Sequence, residues 1–512
     1  MKRSFFVTTP IYYVNDLPHI GHAYSTVAAD VFARYHRLSG DDVFFLTGTD
    51  EHGQKVAKAA AARGLDPQAH VDRMVAPFKE LWQRYSISND DFIRTTENRH
   101  LLVVQNIFQK LFDQGDIYKG IYEGWYCIHE ETFWPESQLV DKNCPECGRP
   151  VELVQEESYY FRTSKYQERL LEYIEANPDF VRPDVRRNEV VSYLKGGVQD
   201  VAISRTTFAW GIPVPFAEGH IVYVWFDALI NYLTGIGYLE DEERFKRFWP
   251  PVHIIGKDII KFHAVIWPSM LFALDIALPE TIVATGFWTL GDKKISKSRG
   301  EVVDPNQLAD ELGVDAVRYF LMREVPLGQD GEFTHAGLIR RVNADLANDF
   351  GNLLHRTLPM IGRYREGTIP AARPEPGKAA PLAESAAEVV FNFKEDMEAL
   401  DARGALTEIW KLLAVANKFI DSTQPWNLYK EGRDNELDEV LWGLAETIRL
   451  VALMAAPFMP ATAEKMFEQL GLDETPADQP YGEFLAWGKL AGSPKSRPGA
   501  PLFPRVELET EA

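Results

Sequence analysis

The chain has 512 residues, 46% hydrophobic and 25% charged, the balance of a globular protein with room for about three or four domains. Its net charge of −21 argues against a protein wrapped in nucleic acid, since phosphate contacts need Lys and Arg, but a local basic face is compatible with it. No apolar run approaches the ~20 residues that span a bilayer, and three cysteines in so long a chain speak against a disulfide framework and for a reducing cytoplasm.

Residues 4–13 are apolar and β-branched and predict a buried strand, ending in the turn-rich Asn15-Asp16-Leu17-Pro18. After His19-Ile20-Gly21-His22, the residues Tyr24, Val27, Val31, Tyr35 and Leu38 recur at helical spacing and stop at Gly40. Val43-Phe44-Phe45-Leu46 suits a buried parallel strand and runs into Thr47-Gly48-Thr49-Asp50. Strand, loop, helix, strand opens a doubly wound α/β sheet, whose ligands sit beyond the carboxyl ends of the strands, where His19, His22 and Asp50 fall. Helical patterns cover 67–85 and 98–114. Short strands, turns, aromatic residues and all three cysteines fill 117–221, which reads as an insert. The sheet resumes with a strand at 252–256, a helix over 257–272 and a strand at 281–286, and Lys294-Ile295-Ser296-Lys297-Ser298 lies just beyond. The expected division is therefore 1–116 and 222–303 for the two halves of the sheet domain and 117–221 for the inserted domain. A helical connector at 304–333, an all-helical domain at 334–470, interrupted by Pro and Gly at 369–381, and an irregular tail at 471–512 complete it.

The loop packs two lysines and two hydroxyls into five residues, and lysines at this density repel each other unless an anion lies between them; a triphosphate fits. A solvated basic turn is the plain alternative. His19-Ile20-Gly21-His22 at a helix N-terminus has a matching logic: free amides and the helix dipole favour an anion, Gly21 permits close approach, and the imidazoles add donors. A single histidine there is more often a cap. The two motifs together resemble the signature pair of class I aminoacyl-tRNA synthetases, with Ile295 where the second motif usually has Met.

Pro10-Ile11-Tyr12-Tyr13-Val14-Asn15, Phe45-Leu46-Thr47-Gly48-Thr49-Asp50-Glu51-His52-Gly53, Tyr223-Val224-Trp225-Phe226-Asp227-Ala228 and Gly256-Lys257-Asp258-Ile259-Ile260-Lys261-Phe262-His263 narrow the resemblance to the methionyl-tRNA synthetases, over residues 1–470. That resemblance implies a Rossmann-like catalytic domain, an inserted connective domain and an all-α anticodon-binding domain. It implies that ATP and L-methionine, with Mg²⁺, give an adenylate whose methionyl group passes to tRNA(Met). His19, Gly21, His22, Lys294, Ser296, Lys297 and Ser298 would meet ATP, with His19, His22, Lys294 and Lys297 catalytic. Asp50 would take the methionine ammonium, and Ile11, Tyr13, Trp225, Ala228, Tyr232, Ile259 and His263 would line the side-chain pocket. Aromatic walls suit a polarizable thioether. The family often has Pro where this chain has Leu229.

Many relatives carry two C-x2-C pairs. Here Cys144-Pro145-Glu146-Cys147 is intact, whereas Cys127 is followed three residues later by Glu130, so the fourth zinc ligand would be Glu130 or His129; a metal-free knuckle is the alternative. Asn348, Asn352 and Arg356 recur every four residues on one helix face, opposite a stripe of Ile339, Val342, Leu346, Phe350 and Leu353. A polar stripe is usually just solvated; the resemblance makes this one an anticodon-reading face with Trp426 as stacking partner. Some family members continue into an oligonucleotide-binding domain that makes them dimers, so a monomer is expected here. The rivals are another class I synthetase and a catalytically inert RNA-binding relative. The insert is small for the editing domain of a branched-aliphatic enzyme, and its cysteines cluster away from the amino-acid pocket a cysteinyl enzyme would need.

Overall fold

The computed structural model describes residues 2–134, 136–290, 293–294, 303–372 and 377–507. They form two compact units, Ser4–Pro18 with Phe44–Thr285, and His19–Val43 with Gly286–Ala512 and the first three residues.

The first unit is built on a six-stranded sheet in the order Asp91–Arg94, Asp42–Asp50, Ser4–Tyr13, Val252–Gly256, Thr281–Thr285, Val181–Arg182. Ser4–Tyr13 pairs in parallel with Val252–Gly256, which pairs in parallel with Thr281–Thr285. Phe5, Phe6, Val7, Phe45, Leu46, Ile254, Ile255 and Ile282 are all buried, as continuous apolar strands of a parallel sheet must be. The chain order reverses beside Ser4–Tyr13, whose neighbours are the second strand in sequence on one side and a much later one on the other. Such a reversal opens a crevice at the carboxyl ends of the strands, which are the ends that carry Tyr13 and Asp50.

The insert holds a four-stranded antiparallel sheet in the order Thr132–Trp134, Ile117–Cys127, Glu152–Phe161, Val201–Ala202. It is not strands and turns throughout, as its texture suggests. Gln167–Ala176 and Asp184–Lys195 are helices, each burying only a pair of apolar residues four apart, Leu170 with Ile174 and Val190 with Leu194. Val181–Arg182, between them, joins the edge of the parallel sheet beside Thr281–Thr285. The single helix expected over 257–272 is a 3₁₀ turn, Lys257–Ile259, a wide π turn, Phe262–Ile266, and an α-helix, Trp267–Leu274. Pro268 lacks the N–H that an α-helix would direct four residues back, and the wider turn stands just before it.

In the second unit, helix Ile20–Ser39 ends on Gly40, whose φ of 93° closes the last turn at no steric cost. Its Asp30 makes a fully buried ion pair with Arg318, 2.7 Å, and Arg318 also donates to the carbonyls of Pro457 and Phe458. One guanidinium thus ties this helix to Val314–Arg323 and to the turn that follows Asp434–Ala455. The remaining helices include His335–Arg341, continued by a π segment, Val342–Phe350, and by Gly351–Arg365, then Ala380–Glu398, Ala402–Thr423, Pro425–Lys430 and Pro460–Leu470. The segment after Leu470, though short of regular structure, is firmly held. Buried Glu446 accepts the backbone N–H groups of Gly488, Lys489 and Leu490, and Arg449 donates to the carbonyls of Phe484 and Ala486.

Candidate active site

His19 and His22 cap their helix reciprocally. His19 Nδ1 accepts from the Gly21 N–H at 3.0 Å and His22 Nδ1 accepts from the His19 N–H at 3.1 Å. The rings stack with centroids 3.8 Å apart. A capping box normally uses Ser or Thr with Glu or Gln; the imidazoles do the same work and keep a donor. Because both Nδ1 atoms accept, each neutral ring carries its proton on Nε2, suited to an anion at the helix terminus. A Cβ on Gly21 would lie 2.9 Å from His19 Cε1, so only glycine lets this ring fold back. The Ile20 N–H donates to the carbonyl of Val303, 3.2 Å, the first described residue after the lysine loop. Lys294 lies on the strand Lys293–Lys294, opposite Thr289, and the next strand over is Gly331–Glu332. Ile295, Ser296, Lys297 and Ser298 are outside the described residues.

In the first unit, Tyr13 meets Trp225 edge-on at 6.0 Å, and Trp225 stacks on Phe262 at 4.0 Å. His263 Nδ1 donates to the Ile259 carbonyl at 3.1 Å, so its Nε2 accepts from the Tyr232 hydroxyl at 2.8 Å. Burial pushes His263 down to about 4, and the ring is neutral. Ala228 is buried on the helix Val224–Gly235 that carries Trp225 and Tyr232, and Ile11 and Ile259 are half-buried against the same core. Leu229, the departure from the family pattern, is packed into that core. Asp50 is buried among these groups. Burial first, and then the charges of Asp227 and Glu131, raise its carboxyl well above the ordinary range. Among the described residues, Asp50 Oδ1, the Tyr13 hydroxyl and Trp225 Nε1 have no hydrogen-bonding partner. Aromatic walls with one buried carboxyl suit a small molecule bearing an apolar side chain and a cation.

Behind this pocket lies a network that residue patterns did not single out. Asp227 is wholly buried and bonded by His52 Nδ1 and His100 Nε2, each at 2.7 Å, while His100 Nδ1 is 3.0 Å from the Thr234 hydroxyl. Burial opposes ionisation of Asp227, but the two histidines outweigh it and hold the carboxyl below its usual value. Asp227 thereby fastens the helix of Trp225 and Tyr232 to the loop after Asp50. Glu131 was likewise unforeseen: it accepts from the Lys55 N–H at 2.6 Å, and burial raises its carboxyl to about 7. His52 and Asp227 stand inside family-like stretches, which was a signal; Glu131 offered none.

In the helical domain Ile339, Val342, Leu346, Phe350 and Leu353 form the buried stripe. Asn348 is exposed and accepts from Arg505, Asn352 donates to Asn417 at 3.2 Å, and Arg356 pairs with Asp421. Trp426 stands on the short helix Pro425–Lys430, 36% exposed. In the insert, the sulfurs of Cys127, Cys144 and Cys147 lie within 4.8 Å of one another, Cys127 and Cys147 at 3.5 Å. Zinc–sulfur bonds of ~2.3 Å in a tetrahedron would set sulfurs about 3.8 Å apart, so the trio suits a metal ion. His129, Glu130 and Cys147 also share a 4.8 Å cluster, and His129 Nδ1 is 2.7 Å from Glu130 Oε1, which keeps both residues as candidates for a fourth ligand.

The model of class I tRNA synthetases (M) matches residues 5–153 and 148–358, and that of the anticodon binding domain of methionyl tRNA ligase matches 369–494. The chain belongs to the methionyl-tRNA synthetase family. This synthetase is 51% identical over 514 residues to the methionine–tRNA ligase of Caldanaerobacter subterraneus, covering all of this chain and 80% of that protein. It is 48% identical over 529 residues to the methionine–tRNA ligase of Bacillus subtilis, covering all of this chain and 79% of that one. Among solved structures, Mycobacterium tuberculosis methionyl-tRNA synthetase in complex with methionyl-adenylate superposes with a TM-score of 0.93 at 42% identity, covering 98% of this chain and 100% of that one. The free-state form of that enzyme gives 0.86 at 40% identity, covering 99% of each chain. Rossmann-like sheet, mostly helical anticodon-binding domain and ATP-dependent ligase are thus the family's properties and this synthetase's own. No helix among the described residues is long and apolar enough to cross a membrane.

Proposed function

We propose that this synthetase activates L-methionine with ATP and transfers the methionyl group to the 3′-terminal adenosine of tRNA(Met). The observation that carries the amino-acid reading is Asp50, a buried carboxyl with an unpartnered oxygen near the rings of Tyr13 and Tyr232. A methionine ammonium satisfies Asp50 and restores its charge, while Ile11, Tyr13, Trp225, Ala228, Tyr232, Ile259 and His263 surround the thioether. The methionine carboxylate attacks the α-phosphorus, the bond to pyrophosphate breaks, and no general base is needed because the nucleophile is already deprotonated. His19 and His22 donate from Nε2 to phosphate oxygens at the helix terminus, in ring positions that Gly21 makes room for. Lys294 and Lys297, with the hydroxyls of Ser296 and Ser298, neutralise charge building on the α-phosphate and pyrophosphate. Mg²⁺ arrives with ATP, held largely by the phosphates. A terminal ribose hydroxyl of the tRNA then attacks the adenylate carbonyl and AMP leaves.

At the far end of the tRNA, Asn348, Asn352, Arg356 and Trp426 meet the anticodon. Arg356 exchanges Asp421, and Asn352 exchanges Asn417, for RNA groups, and Trp426 stacks on an unpaired base. Steady-state charging of tRNA(Met) with labelled methionine tests this. Trp426→Ala is expected to raise the KM for tRNA roughly tenfold or more, since a base–aromatic stack contributes ~1–3 kcal/mol. Equal charging at low tRNA would refute it.

Cys127, Cys144 and Cys147 hold a structural zinc with Glu130 or His129 as fourth ligand, within a cytoplasmic, reduced protein. Burial lifts the Cys127 thiol to about 11, so zinc binding must displace a proton there. Mass spectrometry of the purified protein is expected to find one zinc per chain, lost together with thermal stability in Cys144→Ser. Metal-free protein with unchanged melting would contradict it.

A further inference from the structure

Tyr364 and Tyr429 stack with ring centroids 4.5 Å apart and planes 24° off parallel, and Tyr429 remains 45% exposed. Tyr429 follows Trp426 by three residues on Pro425–Lys430, so the two rings share a helix face. Tyr364 lies eight residues beyond Arg356 on Gly351–Arg365, about 12 Å along the axis and roughly 80° around it, and its stack on Tyr429 sets it against the short helix of Trp426. Four acids at this end are engaged, Arg365 holding Asp434 and Asp438 and Arg433 holding Glu431 and Glu436, while Glu366, two residues beyond Tyr364, is exposed. Arg363 lies with its guanidinium 5.9 Å from the centre of the Tyr364 ring, and Lys430 is exposed beside Tyr429. Two stacked rings are stiffer than one, which lowers the ordering cost of adding a third aromatic layer. The cations beside them suit a phosphate backbone.

We propose that the Tyr364–Tyr429 pair is a second stacking platform, taking one unpaired base of the anticodon loop next to the base at Trp426. Tyr429 supplies the open face, Tyr364 backs it, and Arg363 and Lys430 steer the flanking phosphates. The proposal rests on the anticodon reading of Trp426 and goes beyond it by naming a further nucleotide contact.

The test is binding of a synthetic tRNA(Met) anticodon stem-loop to the 512-residue chain, with each loop nucleotide replaced in turn by an abasic one. Y429A is expected to weaken binding roughly 5- to 100-fold, and Y429F, which keeps the ring, to restore it. One abasic position should reproduce that loss and leave Y429A no further effect, the signature of a shared contact. Methionine-dependent exchange of pyrophosphate into ATP should be unchanged in Y429A. Wild-type binding by Y429A with weakened binding by W426A overturns the platform and leaves the anticodon reading standing. Wild-type binding by both overturns both. A Y429A loss that persists equally at every abasic position also overturns the stacking role.

Discussion

Asp50→Asn is expected to raise the KM for methionine at least a hundredfold while making the unliganded protein more stable to heat. Removing one partner of a buried charge pair costs about 3–5 kcal/mol, which sets the first figure. The second effect follows from what surrounds Asp50. Burial, then the charges of Asp227 and Glu131, raise its carboxyl well above the ordinary range, while the backbone N–H of His52 pulls the other way. An acid whose pKa is higher in the native state holds its proton longer there than in the unfolded chain. Native stability therefore falls as pH rises from the unfolded value, about 4, towards the raised folded value. Asn does not ionise. The melting-temperature gap between variant and parent should be small below pH 4 and widen as pH rises, and methionine should narrow it by stabilising only the parent. Calorimetry across pH, with and without methionine, checks this. Intact methionine affinity or a pH-independent gap would contradict it.

Lys297→Ala should slow adenylate formation at least a hundredfold, about 3 kcal/mol and the scale of one lost transition-state charge contact, with the KM for methionine little changed. On the proposed assignment the split arises because the lysine would act where charge accumulates on the departing pyrophosphate, whereas Asp50 and its aromatic neighbours would hold methionine. Single-turnover kinetics at saturating ATP separate the two terms. An unaltered rate would remove Lys297 from the chemistry.

What the sequence disclosed, and what it withheld, divides by contact range. Residues 4–13 and the helix stopping at Gly40 were legible because apolar runs, helical spacing and a terminal glycine are local signals, and the strand Ser4–Tyr13 has the expected ends. The stripe Ile339, Val342, Leu346, Phe350 and Leu353 is buried even though a π segment, Val342–Phe350, replaces part of the α-helix. The short helices of the insert escaped because two buried residues per helix leave too weak a period. His52 and His100 meet Asp227 across 175 and 127 residues, and no local pattern reports such a pairing. The positions of Asp50 and Tyr13 at strand ends followed from strand chemistry; their unpartnered polar atoms did not. The lysine loop was read from its pairing with His19-Ile20-Gly21-His22 and the family resemblance of the two, and its residues 295–298 lie outside the described structure.

As a methionine–tRNA ligase, this chain should select methionine and join it to the α-phosphate of ATP. Exchange of labelled pyrophosphate into ATP, measured without tRNA and with one amino acid at a time, tests it most directly. Methionine should support exchange at least a hundredfold better than leucine, valine, isoleucine or cysteine, and the exchange should vanish without amino acid. Equal exchange with another of these, or none with methionine, would overturn methionine as the substrate.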